Sequence, residues 1–123
     1  YSYLLKKYID FNSLSEESVL IALFSSNCNY CFESAEKIGI TQKFKSFKKI
    51  ISIFSSDLEN AKLFVKNSKY STSIILSTKI DFLKLTDYHY PKFYLINKNG
   101  SIFSYEASFF QERTIDKLSN VKL

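Results

Sequence analysis

The feature that most constrains this chain is an unbroken apolar run, Val19-Leu20-Ile21-Ala22-Leu23-Phe24, followed four residues later by Cys28-Asn29-Tyr30-Cys31. Six residues are far too few to cross a membrane and have the length of a strand. Because the run does not alternate, it predicts a strand buried on both faces. A strand that ends in a short polar turn and delivers Cys-x-x-Cys at a helix start is a redox arrangement. The first thiol meets unpaired helix amides and the positive end of the helix dipole, both of which stabilise a thiolate. The second, three residues on, shares its helical face and can close a disulfide with it.

The remaining composition narrows the class. A chain of 123 residues is expected to form one domain, 1–123, with 1–17 serving as an N-terminal helix and lead-in loop. Two Gly and one Pro exclude a glycine-rich phosphate loop and argue against disorder. Two Cys cannot build a multi-bridge scaffold, so the pair needs a local explanation. Twelve Phe and nine Tyr, with no Met or Trp, imply an aromatic core. The net charge of +5 does not point to nucleic acid: Arg113 is the only arginine, and the lysines are scattered rather than arranged for base or phosphate recognition. The densest basic segment, Lys43 to Lys49, reads as an amphipathic helix end with Phe44 and Phe47 inward. These residues contain no signal peptide, membrane-length run or lipidation motif, and membrane association stays open. The chain starts without Met, as a processed form or a fragment would.

Periodicity predicts a short amphipathic helix over Tyr3 to Ile9, a polar lead-in from Asn12 to Ser18, and the buried strand Val19 to Phe24. A helix follows from Asn29 to about Gly39, with Phe32, Ala35 and Ile38 inside and Glu33, Glu36 and Lys37 outside. Gly39 is a candidate stop or kink, beyond which Thr41 to Lys49 can continue helically. Ile50 to Phe54 is a second strand. Ser56 or Asp57 caps the next helix, whose buried stripe is Leu58, Ala61, Phe64 and Val65. Ser73 to Leu76 reads as extended and Ile80 to Leu85 as a helical turn. Pro91 then introduces Phe93 to Ile96, and Asn97-Lys98-Asn99-Gly100 signals a hairpin into Ser101 to Tyr105. Glu112 to Leu118 is expected to close the chain as a helix. Helices between the early strands imply parallel pairing and the hairpin adds an antiparallel pair. The expected architecture is α/β, a mixed central sheet with helices on both faces.

With Cys28 and Cys31 after the first strand and Pro91 opening the terminal hairpin, this chain resembles the thioredoxin fold. The longer stretch from Phe54 to Pro91, with the helix and apolar run of Asp57 to Leu76, is similar to the TlpA/ResA-like thiol-disulfide oxidoreductases. The resemblance spans roughly residues 18 to 118. It implies a cis bond before Pro91, the Tyr90 backbone facing Cys28, and substrate peptide held by Tyr90 and Pro91 as an added strand. It also implies an extracytoplasmic location in a bacterial envelope. Three positions depart from the family: Asn27 replaces the aromatic residue before the first Cys, Ala22 replaces a buried carboxylate, and Ser34 replaces a Glu.

The expected chemistry is thiol-disulfide exchange, in the reducing direction, with Cys28 as nucleophile and Cys31 resolving. Asn27, Asn29 and Tyr30 tune the pair without charge, and the couple is expected to be mildly reducing. Glu33 and Glu36 are the candidates for proton relay, and Tyr88, Tyr90 and Phe32 for an apolar rim. No cofactor is required; the partners are a protein disulfide and an electron-donating thiol protein, and a monomer is expected. The competing reading is a non-catalytic binding module, or a copper or zinc chaperone using Cys28, Cys31 and His89.

Overall fold

The computed structural model describes residues 2–13, 18–44, 49–97, 99 and 101–106. Five strands form one sheet in the order β3-β2-β1-β4-β5. Strand β1 (Val19–Leu23) lies at its centre, parallel to β2 (Lys49–Phe54) and antiparallel to β4 (Lys92–Ile96). Strand β3 (Ser73–Leu76) pairs parallel with β2 at one edge, and β5 (Ile102–Glu106) pairs antiparallel with β4 at the other. The mixed sheet follows from the connections: helix α2 (Asn29–Phe44) crosses from β1 to β2 and α3 (Leu58–Ser68) from β2 to β3, whereas a hairpin joins β4 to β5. Helices α1 (Ser2–Tyr8) and α4 (Lys79–Thr86) complete the described elements.

Successive side chains of a strand point to opposite faces, so the apolar run of β1 feeds two cores at once. Leu20 and Ala22 join Phe24, Ile50, Phe54, Phe93 and Leu95 beneath α2 and α3. Val19, Ile21 and Leu23 join Ile51, Ile53, Tyr94 and Ile96 against Leu4 and Leu5 of α1 and Phe82 and Leu85 of α4. All five β1 residues are buried, as an uninterrupted run demands. Phe24 holds the first core together, its ring centroid within 5.4 to 6.2 Å of those of Phe54, Phe64, Tyr70 and Phe93.

The helix signals are satisfied locally. Asp57, not Ser56, caps α3, accepting the Asn60 amide at 2.7 Å. Thr78 caps α4 in the same way through the Asp81 amide. Three sequence expectations need correction. Gly39 neither stops nor kinks α2, which runs on to Phe44; the glycine is there because α3 ends against it, and a Cβ at position 39 would sit 2.3 Å from the Lys69 carbonyl oxygen. Leu58 is exposed at the start of α3, one turn short of where the helix meets the core. The predicted lead-in loop begins inside a single 3-10 turn, Phe11–Ser13. Phe44 and Phe47 as inward side chains, the end of that lead-in and the terminal helix at Glu112 to Leu118 all lie outside what is described. Among the described residues, no helix is long and apolar enough to cross a membrane.

Candidate active site

Beyond β1 the chain turns through Ser25, Ser26 and Asn27, and Cys28 becomes the residue immediately before α2. The turn is closed by the Cys28 amide donating to the Ser25 carbonyl at 3.2 Å. The Asn27 amide donates to Ser25 Oγ at 3.4 Å. Cys28 then does with sulfur what Ser or Asp does with oxygen at a helix start. Its Sγ accepts the Cys31 amide at 3.2 Å, while its carbonyl accepts the first helical amide, that of Phe32, at 3.1 Å. One of the otherwise unpaired amides of the first turn is thus aimed at the sulfur, the position at which a negative charge is best accommodated.

The two thiols are free and unequal. Cys28 is partly exposed, whereas Cys31 is wholly buried beneath it. Burial pushes the Cys31 thiol well above the ordinary cysteine range, and its hydrogen bond with Cys28 pushes the same way; a backbone bond from Ser25 opposes them. An accessible sulfur that accepts a helix amide, backed by a protonated one, divides the roles of attacking and resolving thiol.

The opposite wall comes from the start of β4. The Tyr90–Pro91 peptide bond is cis, and the Cys28 thiol faces the Tyr90 carbonyl at 4.0 Å. Pro91 is buried, while Tyr90 is exposed with its ring centroid 5.5 Å from that of Phe82. Tyr30 and Tyr88 stand out into solvent at 71% and 69% exposure. Phe32, expected at an apolar rim, instead packs edge-on against Phe64 at the margin of the first core.

The other sequence candidates separate from the thiols. Asn29 is exposed at the first position of α2. Glu33 and Glu36 are exposed on α2, on the solvent side of the helix that carries the buried Cys31. His89 is exposed and turns its Nδ1 back to the Asp87 carbonyl at 2.9 Å. Among the described residues no group of three His, Cys, Asp or Glu is placed to hold a metal ion, so Cys28, Cys31 and His89 do not form a ligand set. Ala22 and Ser34 are buried and supply no carboxylate.

Sequence reasoning missed two contributors. Ser25 shapes the turn that presents Cys28, and the adjacent Ser-Ser-Asn segment, rich in turn formers, was the available signal. Tyr70 shares the buried cluster of Cys31, but it lies in an irregular stretch between α3 and β3 where periodicity carries no information.

No protein-family model and no curated protein matches this sequence. Solved structures do. A thioredoxin-related protein from Neisseria meningitidis serogroup B is 18% identical, with 88% of this chain and 86% of that one covered at a TM-score of 0.67. A putative protein disulfide isomerase from Bacteroides thetaiotaomicron is 20% identical, covering 88% and 72% at 0.68. A secreted disulfide oxidoreductase of Mycobacterium tuberculosis is 12% identical, covering 77% and 72% at 0.64. The chain has the thioredoxin-like fold that its element order suggested.

Proposed function

We propose that this protein is a single-domain thiol-disulfide oxidoreductase of the TlpA/ResA-like kind that reduces disulfides of protein substrates. The observation that carries the reading is the asymmetric pair: Cys28 Sγ accepts an N-terminal amide of α2 at 3.2 Å at the surface, and Cys31 is buried behind it. Cys28, as thiolate, attacks one sulfur of the substrate disulfide. A mixed disulfide forms and the other substrate sulfur leaves as a thiolate. Cys31, once deprotonated, attacks Cys28 Sγ; the internal disulfide forms and the second substrate sulfur leaves. Two electrons pass from the protein to the substrate, and a second thiol protein restores the dithiol. No organic cofactor takes part in this sequence.

Tyr90 and Pro91 are the proposed substrate contacts. An extended peptide running beside Tyr90 pairs with its backbone as an added strand, which holds the substrate sulfur over Cys28 without selecting its side chains. The uncharged Asn29 and Tyr30 leave the helix start as the main influence on the thiolate and favour a mildly reducing couple. Work in the oxidising space outside the cytoplasm is proposed by analogy with structural neighbours, one of which is described as secreted.

The test is Cys31→Ser in a mixture of oxidised candidate proteins. Mixed disulfides on Cys28 should accumulate and release on addition of dithiothreitol. A variant that captures nothing, while Cys28 stays reactive to alkylation, would refute the exchange mechanism.

A further inference from the structure

The hairpin segment Asn97-Lys98-Asn99-Gly100 does more than reverse the chain. Strand β4 starts beside Cys28 and runs away from it, so the turn into β5 lies at the other end of the sheet from the thiols. The turn is closed by the Asn97 amide, which donates to the Ser101 carbonyl at 2.9 Å. Asn97 is buried, whereas Asn99 is exposed to water. Of all the asparagines in the chain, Asn99 alone is followed by glycine.

Two hydrogen bonds converge on the side-chain carbonyl of Asn99. Its Oδ1 accepts the Ser101 amide at 3.0 Å and the Ser101 hydroxyl at 2.7 Å. Counting protons fixes the sense of the second bond. Asn97 Nδ2, 2.7 Å from Ser101 Oγ, can only donate, so the hydroxyl accepts from Asn97 and sends its own proton to Asn99. A buried side chain thereby aims the hydroxyl at the amide carbonyl. Two donors at these distances draw electron density from Cγ and stand where negative charge would develop if a nucleophile added there. The nucleophile is supplied by the next peptide unit. The Gly100 nitrogen is joined to Asn99 Cγ through Cβ, Cα and the main-chain carbonyl carbon, so a bond between them closes a five-membered ring. Covalent connection brings the two atoms together without any binding step. Glycine adds no Cβ to obstruct the approach.

We propose that Asn99 is a self-modification site, deamidating through a succinimide while Ser101 holds the oxyanion of the tetrahedral intermediate. The inference is independent of the thiol-exchange reading. The Gly100 amide gives its proton to water or hydroxide, and its nitrogen attacks Asn99 Cγ. The N–Cγ bond forms and the carbonyl electron pair moves onto Oδ1, between the Ser101 amide and hydroxyl. The pair returns, the Cγ–Nδ2 bond breaks, and Nδ2 leaves as ammonia with a proton from water. Water then adds to one of the two ring carbonyls and opens the succinimide. Opening on one side leaves aspartate at position 99; opening on the other leaves isoaspartate, with the main chain routed through the side chain. No oxidation state changes and water is the only co-reactant. Either product lowers the net charge of +5 by one, and isoaspartate lengthens the β4–β5 turn by a methylene.

The folded protein is incubated at mildly alkaline pH and sampled over time. Mass spectrometry of the peptide spanning the turn reads the conversion, and enzymatic methylation of isoaspartate identifies the product. Aspartate and isoaspartate should both appear at position 99, with isoaspartate in excess, and Asn99→Gln should remove the signal. Ser101→Ala should slow conversion by about tenfold, less than the 100-fold or more that a buried oxyanion donor gives, because water can take the place of the hydroxyl at an exposed turn. Ser101→Thr keeps the hydroxyl and should keep the rate. Wild-type protein whose position 99 stays intact while other asparagines convert overturns the site. Aspartate without isoaspartate marks direct hydrolysis and overturns the succinimide. Ser101→Ala converting as fast as wild type overturns the role of the hydroxyl. The wild-type time course decides the site even if a turn variant fails to fold.

Discussion

Gly39→Ala tests how α2, the helix that carries both thiols, is seated. In an open helix this change gains about 1 kcal/mol, since glycine has the greater freedom to lose. Here an added Cβ would lie 2.3 Å from the Lys69 carbonyl oxygen, 3.0 Å from its carbon and 3.3 Å from the Ser68 carbonyl oxygen. Ordinary contact needs more than an ångström of additional separation from the nearest of these. The obstacle is backbone, which cannot rotate away as a side chain would. Lys69 is also held, with φ of 60° and its amide bonded to the Val65 carbonyl at 3.0 Å. Overpacking costs about 1–3 kcal/mol, and an obstacle made of backbone puts this site in the upper part, about 2–3 kcal/mol, so after the propensity gain the net loss should be about 1–2 kcal/mol. Each kcal/mol moves the Tm of a chain this size by about 4 °C, giving a fall of roughly 4–8 °C. Urea and thermal unfolding of wild type and variant measure it. A variant as stable as wild type, or more so, would refute the close approach of α2 to the end of α3.

Other outcomes follow from the same structure. The folded state holds the Cys31 and Tyr70 thiol and phenol above their unfolded values, through burial first, so above about pH 8.5 the unfolded chain releases a proton that the folded one keeps. The reduced protein should therefore lose stability as pH rises past that point, and Cys31→Ala should flatten the decline in urea midpoint against pH. Asp81 is held below its ordinary value by hydrogen bonds from Lys7, at 2.8 Å, and from Tyr8, so its stabilisation is complete above about pH 4 and disappears as pH falls through its lowered folded value. Asp81→Asn should be less stable than wild type at neutral pH, and the gap should close in acid. Phe24→Ala removes the ring at the centre of the first core and should cost about 3–5 kcal/mol by denaturant unfolding.

What was legible in the sequence and what was not divide along physical lines. The β1 run, the Cys pair at a helix start and the single proline are local signals whose meaning survives in any context. They carried the order of the described elements and the mixed character of the sheet, whereas the facing of Cys28 and the Tyr90 backbone was implied only by the resemblance. Gly39 misled because glycine in a helix reads as an interruption when only the local chain is considered, whereas its reason is the end of α3, some thirty residues on. Leu58 misled because a helical stripe extends into the first turn on paper but not over the sheet. The Tyr70, Ser52 and Thr72 contacts were invisible for a related reason. A strand serine and a threonine in a connecting stretch carry no pattern until β2 and the segment before β3 are brought side by side. His89 was drawn into a metal hypothesis by its nearness to Pro91 in sequence, and its ring turns to Asp87 instead.

The proposed activity is disulfide exchange between the two sulfurs of this site and a protein. Reduction of insulin by dithiothreitol, followed by turbidity, tests it most directly with wild type, Cys28→Ser and Cys31→Ser side by side. The wild type should accelerate the reaction, Cys28→Ser should not, and Cys31→Ser should give no sustained turnover. Wild-type protein that leaves the uncatalysed rate unchanged, or a Cys28→Ser variant that accelerates it equally, would rule out thiol-disulfide exchange at this site.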